Sequence, residues 1–297
     1  MAIDDDAARW SWDPSLYAGS AAYYAVGRVP YPAGLVEALA AAVPLDGTGT
    51  LLDVGCGPGS LTLLLAPHVG SAIGVDADPD MLTEADRLAA ERGIGNVSWR
   101  QLRAEELPAD LTTPMRLITL AQSFHWMDRP LVAAVLRGML DSGGTLVHVS
   151  ATTHWGTAAA GSGWSSPAST RDNSAQSPEL TGNAPPWRAV EGLVTAYLGP
   201  GRRAGQGVCS VGPHGEDAIY RAAGFTGPER IEIPGWTVER TTAQIAAAVY
   251  SLSWAAPHLF GARLAEFDDE LRRLLDRASS DGRFIEQMRP IALDIWR

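Results

Sequence analysis

Three glycines follow a short apolar run in the segment Leu51-Leu-Asp-Val-Gly-Cys-Gly-Pro-Gly-Ser-Leu61. The run is typical of a buried strand. Because Gly55, Gly57 and Gly59 carry no side chain, a ligand can approach the backbone closely there. Leucines then begin a helix whose free N–H groups face the glycine turn. Strand, glycine turn and helix together predict a site for a ligand of nucleotide size.

Two carboxylates indicate which nucleotide binds. Asp53 stands beside the glycine turn, where it would repel phosphate oxygens and attract a cation. Asp76 ends a second apolar run, about where an acidic residue binds ribose hydroxyls, although such a residue can also cap a helix. The third glycine comes one residue earlier than in the G-x-G-x-x-G pattern of dinucleotide sites. A phosphate-free nucleoside cation therefore fits better, and S-adenosylmethionine is one.

A histidine occupies a position where the reaction is expected. Residues 115–120 are predicted to form a strand, and Gln122-Ser-Phe-His-Trp-Met-Asp128 leaves its carboxyl end, where open α/β sheets bind ligands. The His125 ring can accept a proton near neutral pH, so it is the candidate general base. Alternatively, His125 and Trp126 only form part of the wall of the cofactor pocket. Methyl transfer to an atom that is already nucleophilic needs no base. No group of Cys, His, Asp or Glu residues has the spacing of metal ligands, so no metal is expected.

The elements that position these residues alternate along the chain. Periodicity predicts further strands at 97–102, 145–150, 229–233 and 284–296, and helices at 35–43, 80–92, 129–140, 187–198, 215–223, 242–254 and 263–278. Such alternation favours an α/β fold with a doubly wound, mostly parallel sheet of seven strands.

The amino-acid composition and net charge argue against several classes of function. The 297 residues are 46% hydrophobic and 19% charged, as in a globular protein, and the net charge of -11 argues against nucleic-acid binding. All 23 basic residues are arginine, which excludes a lysine Schiff base and a phosphate-loop lysine. Two cysteines, an acidic N-terminus and no long apolar run predict a cytoplasmic protein without a membrane span.

Taken as a set, the motifs resemble class I S-adenosylmethionine-dependent methyltransferases, in particular a bacterial small-molecule branch. The resemblance rests on Leu-Asp-Val-Gly-Cys-Gly-Pro-Gly, Gly-Val-Asp-Ala-Asp, Arg103-Ala-Glu-Glu-Leu-Pro108, Gln122-Ser-Phe-His-Trp-Met-Asp128 and Leu140-Asp-Ser-Gly-Gly-Thr-Leu-Val. It implies a Rossmann-like sheet with an antiparallel last strand, S-adenosyl-L-methionine as cofactor and S-adenosyl-L-homocysteine as product.

The resemblance also implies roles for single residues. Tyr24 and Arg28 lie in a segment similar to the family's Tyr-x-x-x-Arg-Pro-x-Tyr-Pro, with Val29 before Pro30, and would touch the methionine half of the cofactor. An apolar side chain such as Met81 would press on the adenine. Glu105 would accept the adenine amine, with Glu106 as a rival. The full cofactor-binding set expected is Tyr24, Arg28, Asp53, Gly55, Cys56, Gly57, Gly59, Asp76, Ala77, Met81, Ala104, Glu105, Ala121, Gln122, Ser123 and Trp126.

We expect a single methyltransferase domain over residues 1–297 with three additions. Residues 1–34 would form an arm over the cofactor, and residues 151–214 and 235–283 a helical cap. Within the cap, residues 156–186 are rich in Ser, Ala, Gly and Pro, which predicts either a flexible lid or plain disorder.

The reaction expected is direct methyl transfer to a small, apolar or aromatic metabolite, perhaps of specialised metabolism. Neither the O, N or C acceptor atom nor the oligomeric state can be derived. Three rival interpretations stay open: a nicotinamide oxidoreductase, a cyclase that uses the cofactor only as a scaffold, and a non-catalytic cofactor-binding module.

Overall fold

A computed structural model describes residues 13–157, 183–200, 203–204, 207–208 and 215–297. Its elements in chain order are α1 (Ala21–Gly27), α2 (Gly34–Ala40), β1 (Thr50–Val54), α3 (Ser60–Leu65), β2 (Ser71–Asp76), α4 (Pro79–Glu91), β3 (Val97–Gln101), β4 (Met115–Ala121), α5 (Arg129–Met139), β5 (Leu140–Ser150), α6 (Trp187–Leu198), β6 (Arg203–Ala204), β7 (Gly207–Val208), α7 (Glu216–Ala222), β8 (Glu229–Ile233), β9 (Thr237–Thr241), α8 (Thr242–Tyr250), α9 (Leu264–Ala278), β10 (Arg283–Gln287) and β11 (Ile291–Trp296).

Seven strands form one sheet in the order β3-β2-β1-β4-β5-β11-β8. Strands β1 to β5 run parallel, and β11 pairs antiparallel with both of its neighbours. The predicted α/β, doubly wound and mostly parallel sheet with an antiparallel last strand is therefore confirmed.

Both faces of the sheet are buried because successive side chains point to opposite sides. Leu51 and Leu117 pack with α2 and α3 on one face, whereas Leu52 and Ile118 pack with α5 and α7 on the other. The apolar runs that predicted β1 and β4 therefore supply the two halves of the core.

The predicted closing strand at 284–296 is wrong in one respect. The structure divides it into β10 and β11, and only β11 joins the large sheet. Pro290 lies between them and has no N–H to donate to a ladder, so the chain turns there. Strand β10 instead pairs antiparallel with β9, which the sequence reading did not predict.

A second core lies between α6, α8 and α9. Its buried members include Trp155, Trp187, Phe260, Phe267 and Phe284. These elements belong to the two stretches predicted as a cap. Most of the predicted flexible stretch 156–186 lies outside the described residues, as do Trp164 and the first twelve residues of the predicted arm.

Candidate functional site

A cleft opens at the carboxyl ends of β1, β2 and β4, where ligands of open α/β sheets bind. It holds about 700 Å³ of empty space, counting the part open to solvent. Its lining includes twelve of the predicted cofactor residues: Tyr24, Gly55, Gly57, Asp76, Ala77, Met81, Ala104, Glu105, Ala121, Gln122, Ser123 and Trp126. Five further lining residues were not predicted: Tyr17, Val75, Leu102, Arg103 and Met127.

A smaller cavity of about 430 Å³ adjoins the cleft beneath the arm. The two spaces share Tyr24, Gly55, Gly57 and Ala121 in their linings. The smaller cavity adds the remaining predicted residues Arg28, Asp53 and Cys56. Together the two spaces therefore bring together every predicted cofactor residue except Gly59.

The three glycines of the turn do different things. Gly57 has a φ of +54°, and a Cβ placed on it would meet nothing within 4 Å, so its missing side chain leaves room in the cleft. A Cβ on Gly55 would lie 2.5 Å from Cβ of Ser123, and one on Gly59 would lie 2.8 Å from the Trp99 ring. Gly55 and Gly59 therefore permit packing around the turn, and Gly57 opens it to a ligand.

The backbone N–H groups of the turn are already occupied. They donate to acceptors within the protein: Gly55 N to Val75 O (2.8 Å), Cys56 N to Val75 O (3.0 Å), Gly57 N to Asp76 Oδ2 (2.8 Å) and Gly59 N to Cys56 O (3.0 Å). A pyrophosphate held on a glycine turn needs such N–H groups to point at it. These four N–H groups are therefore not available to a phosphate, whereas the turn leaves room for close approach of a ligand.

Asp76 ends β2 at the edge of the cleft. Its two carboxylate oxygens accept hydrogen bonds from the N–H groups of Gly57 (2.8 Å) and Asp78 (2.9 Å), which hold it in place. Burial raises the pKa of Asp76 to about 6, against the effect of these two donors. At neutral pH the group is mostly ionised and can accept hydrogen bonds from ligand hydroxyls.

Asp53 is buried near the carboxyl end of β1. Its side chain is 1% exposed, and its oxygens accept hydrogen bonds from the hydroxyls of Thr62 (2.6 Å) and Thr119 (2.7 Å). Burial raises the pKa of this carboxyl, although both hydroxyls act in the opposite direction. The negative charge is costly here, so a cation in the adjoining cavity would stabilise it.

Between the neighbouring acids Glu105 and Glu106, the structure places Glu105 on the cleft. One Glu105 oxygen accepts the N–H of Asp128 at 2.9 Å, which fixes its orientation. Glu106 is exposed and accepts the N–H of Arg103 at 2.7 Å, as a cap of the short helical turn over Ala104–Glu106.

The stretch after β4 forms one wall of the cleft. Gln122 adopts a φ of +57°, a backbone conformation that is uncommon for a residue with a side chain and often found at functional sites. Ser123 donates to the carbonyl of Val54 at 2.6 Å and so ties this wall to β1. The Trp126 ring meets Tyr17 edge to face, with centroids 6.4 Å apart.

His125 does not line either cavity. Solvent reaches part of its ring, yet the protein packed around it, with His148 and Arg129 nearby, lowers its pKa to about 4. The ring lies against Trp126 at a centroid distance of 4.6 Å. His125 is thus an exposed residue next to Trp126 and outside both linings, and its role as a general base stays a prediction.

The N-terminal arm covers the cleft with aromatic side chains. The guanidinium of Arg28 lies 4.3 Å above the ring of Tyr24, and Tyr24 meets Tyr17 edge to face at 6.4 Å. Arg28 donates from Nε and Nη2 to Oγ (2.9 Å) and the carbonyl (2.8 Å) of Ser251 at the end of α8. Tyr17 belongs to no motif, which is why its place in the lining was missed.

Two observations concern functions that the chain is not expected to have. Within the described ranges, no group of three or more His, Cys, Asp or Glu side chains is arranged to hold a metal ion. In the same ranges, every helix is too short or too polar to cross a bilayer.

Residues 51–144 match the family model described as a methyltransferase domain. The chain is 33% identical over 96 residues to a ubiquinone biosynthesis O-methyltransferase of Methylococcus capsulatus, covering 32% of this chain and 40% of that protein. It is also 36% identical over 73 residues to an uncharacterised RNA methyltransferase of Nostoc sp., covering 25% of this chain and 16% of that protein. The chain thus spans less than half the length of these curated relatives.

Among solved structures, the YcgJ protein of Bacillus subtilis superimposes with a TM-score of 0.44 at 18% identity, over 89% of this chain and 96% of that one. The order and directions of the strands, together with the matched domain, identify the fold.

Proposed function

Since this chain carries a class I S-adenosylmethionine-dependent methyltransferase domain, we propose that it transfers the methyl group of S-adenosylmethionine to a small organic acceptor. The acceptor class that we propose is an apolar or aromatic metabolite, of the kind made in specialised metabolism. Because the domain match covers only residues 51–144, the activity of the whole chain is part of this proposal.

The occupied N–H groups of the glycine turn are the observation that carries the cofactor assignment. A nicotinamide dinucleotide would bring a pyrophosphate to a turn in which the N–H groups of Gly55, Cys56, Gly57 and Gly59 already have acceptors, with a buried carboxylate, Asp53, close by. A nucleoside with a positively charged sulfur meets no such obstacle.

The residues present fit this cofactor in three places. Asp76 would accept the ribose hydroxyls, as an acid at the end of the second strand does in nucleotide-binding sheets. Met81 and Ala104 would contact the adenine ring and Glu105 its amine. The methionine half would extend past Gly57 into the smaller cavity, where Asp53 and Arg28 supply charges of both signs.

When bound, the cofactor supplies a methyl group on a sulfonium, which an acceptor atom attacks from the side opposite sulfur. The protein's contribution is then to hold the two reactants in line, which can lower a barrier by about 7–11 kcal/mol at best. The rings of Tyr17, Tyr24 and Trp126 also keep water from the reacting atoms. No side chain in the described lining needs to act as a base for this chemistry.

The proposed acceptor class rests on the walls and the charge of the protein. Aromatic side chains of the arm narrow the cleft from above, which suits a small flat molecule. A net charge of -11 is unfavourable for tracking a phosphate backbone, although one relative is an RNA methyltransferase.

The test is a methylation assay with purified protein, S-adenosylmethionine and either a panel of aromatic and apolar metabolites or total RNA. We expect mass spectrometry to show adenosylhomocysteine and a product 14 mass units heavier with at least one small molecule, and none with RNA. Methylated RNA would contradict the acceptor class. Turnover of a metabolite without adenosylhomocysteine would favour a scaffold role for the cofactor, and binding without any turnover a non-catalytic module.

A further inference from the structure

A buried ion pair lies away from the cleft, on the two-stranded sheet of β9 and β10. Arg240 and Glu286 are 3% and 0% exposed, and Nη1 of Arg240 lies 2.9 Å from Oε2 of Glu286. They are diagonal neighbours across the two strands, since Arg240 pairs with Phe284. Ion pairs buried this completely are costly to desolvate and persist where their remaining hydrogen bonds are also satisfied.

The Glu286 carboxylate connects the two ends of the stretch 156–187, which belongs to the predicted cap. Its Oε1 accepts the backbone N–H of Gly156 at 2.7 Å and the indole N–H of Trp187 at 2.6 Å. Gly156 follows β5, and Trp187 begins α6. A Cβ on Gly156 would lie 2.1 Å from the carbonyl oxygen of Gln287, so the chain passes directly against β10.

The Arg240 guanidinium extends the connection to the arm. Nη2 donates to the carbonyl of Gly27 at 2.6 Å, and Nη1 donates to the carbonyl of His154 at 2.9 Å. Gly27 is the last residue of α1, and a Cβ there would lie 2.3 Å from the backbone carbon of Ala247 in α8. The arm therefore docks backbone to backbone on α8, at the point that Arg240 holds.

Beyond Gly27, the chain leads directly to the cleft. Arg28 lines the smaller cavity, and its Nη1 is 2.9 Å from Nδ1 of His154, the residue whose carbonyl Arg240 also binds. Its guanidinium lies over the ring of Tyr24, which lines both spaces. Arg240 thus contacts Gly27, which precedes Arg28 in the chain, and His154, whose side chain lies against Arg28.

We propose that Arg240 and Glu286 are positioning residues, which place Tyr24 and Arg28 over the cofactor site by fixing the end of α1 against the cap. The consequence for cofactor affinity rests on the proposed function, whereas the docking of the arm does not. Since α1 has only seven residues, it is too short to be stable by itself and depends on this docking.

The arm's own amides report the docking without any ligand. The N–H groups of Tyr24 and Arg28 donate to the carbonyls of Ser20 and Tyr24, bonds that exist only while α1 is formed. Local opening of the arm therefore raises hydrogen exchange in a peptide that spans residues 20–28. This measurement is independent of the identity of the ligand.

The variants are Arg240→Lys, which keeps the charge but loses the fork of donors, and Glu286→Gln, which keeps an acceptor but loses the charge. The control is Arg230→Lys, because the Arg230–Asp294 pair on β8 and β11 is also a close ion pair between strands, at 2.6 Å against 2.9 Å for Arg240–Glu286, but lies in the large sheet. Gly27→Ala is a further variant that leaves the ion pair intact and displaces α1 from α8.

We expect exchange in the 20–28 peptide to rise about tenfold or more in Arg240→Lys, Glu286→Gln and Gly27→Ala, and to stay within twofold in Arg230→Lys. Calorimetry should show affinity for adenosylhomocysteine about tenfold weaker in the first three variants. Unchanged exchange in all three, or an equal rise in the control, would overturn the positioning role. Raised exchange together with no adenosylhomocysteine binding by the wild-type protein would instead uphold the docking and refute the proposed function.

Discussion

Replacing Gly57 with alanine separates ligand space from backbone strain at the glycine turn. A Cβ on Gly57 meets no protein atom within 4 Å and points into space that the cofactor is proposed to fill. The substitution keeps the N–H that binds Asp76. We therefore expect Gly57→Ala to fold and to lose cofactor affinity.

Two terms determine the size of the effect. The φ of +54° at Gly57 is left-handed, so an alanine there costs about 1–2 kcal/mol of folding stability. Forcing a methyl group into a filled space costs about 1–3 kcal/mol. Here the cost reduces the free energy of cofactor binding, because the space is filled only in the complex. That penalty corresponds to a dissociation constant about 5- to 150-fold higher. The larger and β-branched Gly57→Val should abolish binding.

Gly93→Ala is the matched control. Gly93 has a φ of +66°, and a Cβ there also meets nothing within 4 Å, but it follows α4 outside both cavities. Both variants should lower Tm by similar amounts, because they carry the same backbone strain. Isothermal titration with adenosylhomocysteine should then show weaker binding for Gly57→Ala alone. Equal affinities for the two alanine variants would refute the placement of the cofactor on Gly57.

Three further predictions concern the ionisable groups. Burial raises the pKa of Asp76 from 3.8 to about 6, so the stability that its neutral form contributes is present below pH 4 and is lost as the pH rises through 6. Ribose hydroxyls need the ionised form, so titration calorimetry should show affinity for adenosylhomocysteine about tenfold higher at pH 7 than at pH 5. Asp76→Asn should remove that rise, and a rise that persists in the variant would exclude Asp76 as its source. Asp53→Asn should keep or raise Tm at pH 7, because burial raises the pKa of this carboxyl and its charge is costly in the folded state. The same variant should bind S-adenosylmethionine about tenfold or more weakly and adenosine as before; equal losses for both ligands would place Asp53 away from the methionine half. His125→Ala should keep kcat within about threefold, since the ring lines neither cavity, whereas a loss of about a hundredfold on a hydroxyl acceptor would establish the general base.

Local patterns were enough to predict most strands of the sheet, whereas the antiparallel direction of the last strand was implied by the family resemblance. The strand at Glu229–Ile233 and the helix at Trp187–Leu198 have the predicted bounds, because short alternation and a 3.6-residue period are properties of neighbouring residues. The division into β10 and β11 was missed, although Pro290 gave a local signal. What could not be seen was the partner of β10, since β9 lies more than forty residues earlier.

For the candidate site, the sequence indicated the position in the chain but not the contacts made by residues that are distant in sequence. Most of the residues that line the cleft lie in the motifs, because a strand end and its following loop are contiguous in sequence. The distinct functions of Gly57 and Gly59 depend on Trp99, which comes from another strand. Likewise, the buried state of Asp53 depends on Thr62 and Thr119, whose hydroxyls reach it only after β1, α3 and β4 have assembled.

The central claim is that the cleft takes a phosphate-free sulfonium nucleoside or its product. Calorimetric titration of the ligand-free protein with adenosylhomocysteine and, separately, with NAD tests it directly. We expect saturable binding of one adenosylhomocysteine per chain and no heat from NAD beyond dilution. Binding of NAD at the same site, seen as competition with adenosylhomocysteine, or no binding of adenosylhomocysteine at millimolar concentration, would contradict the account.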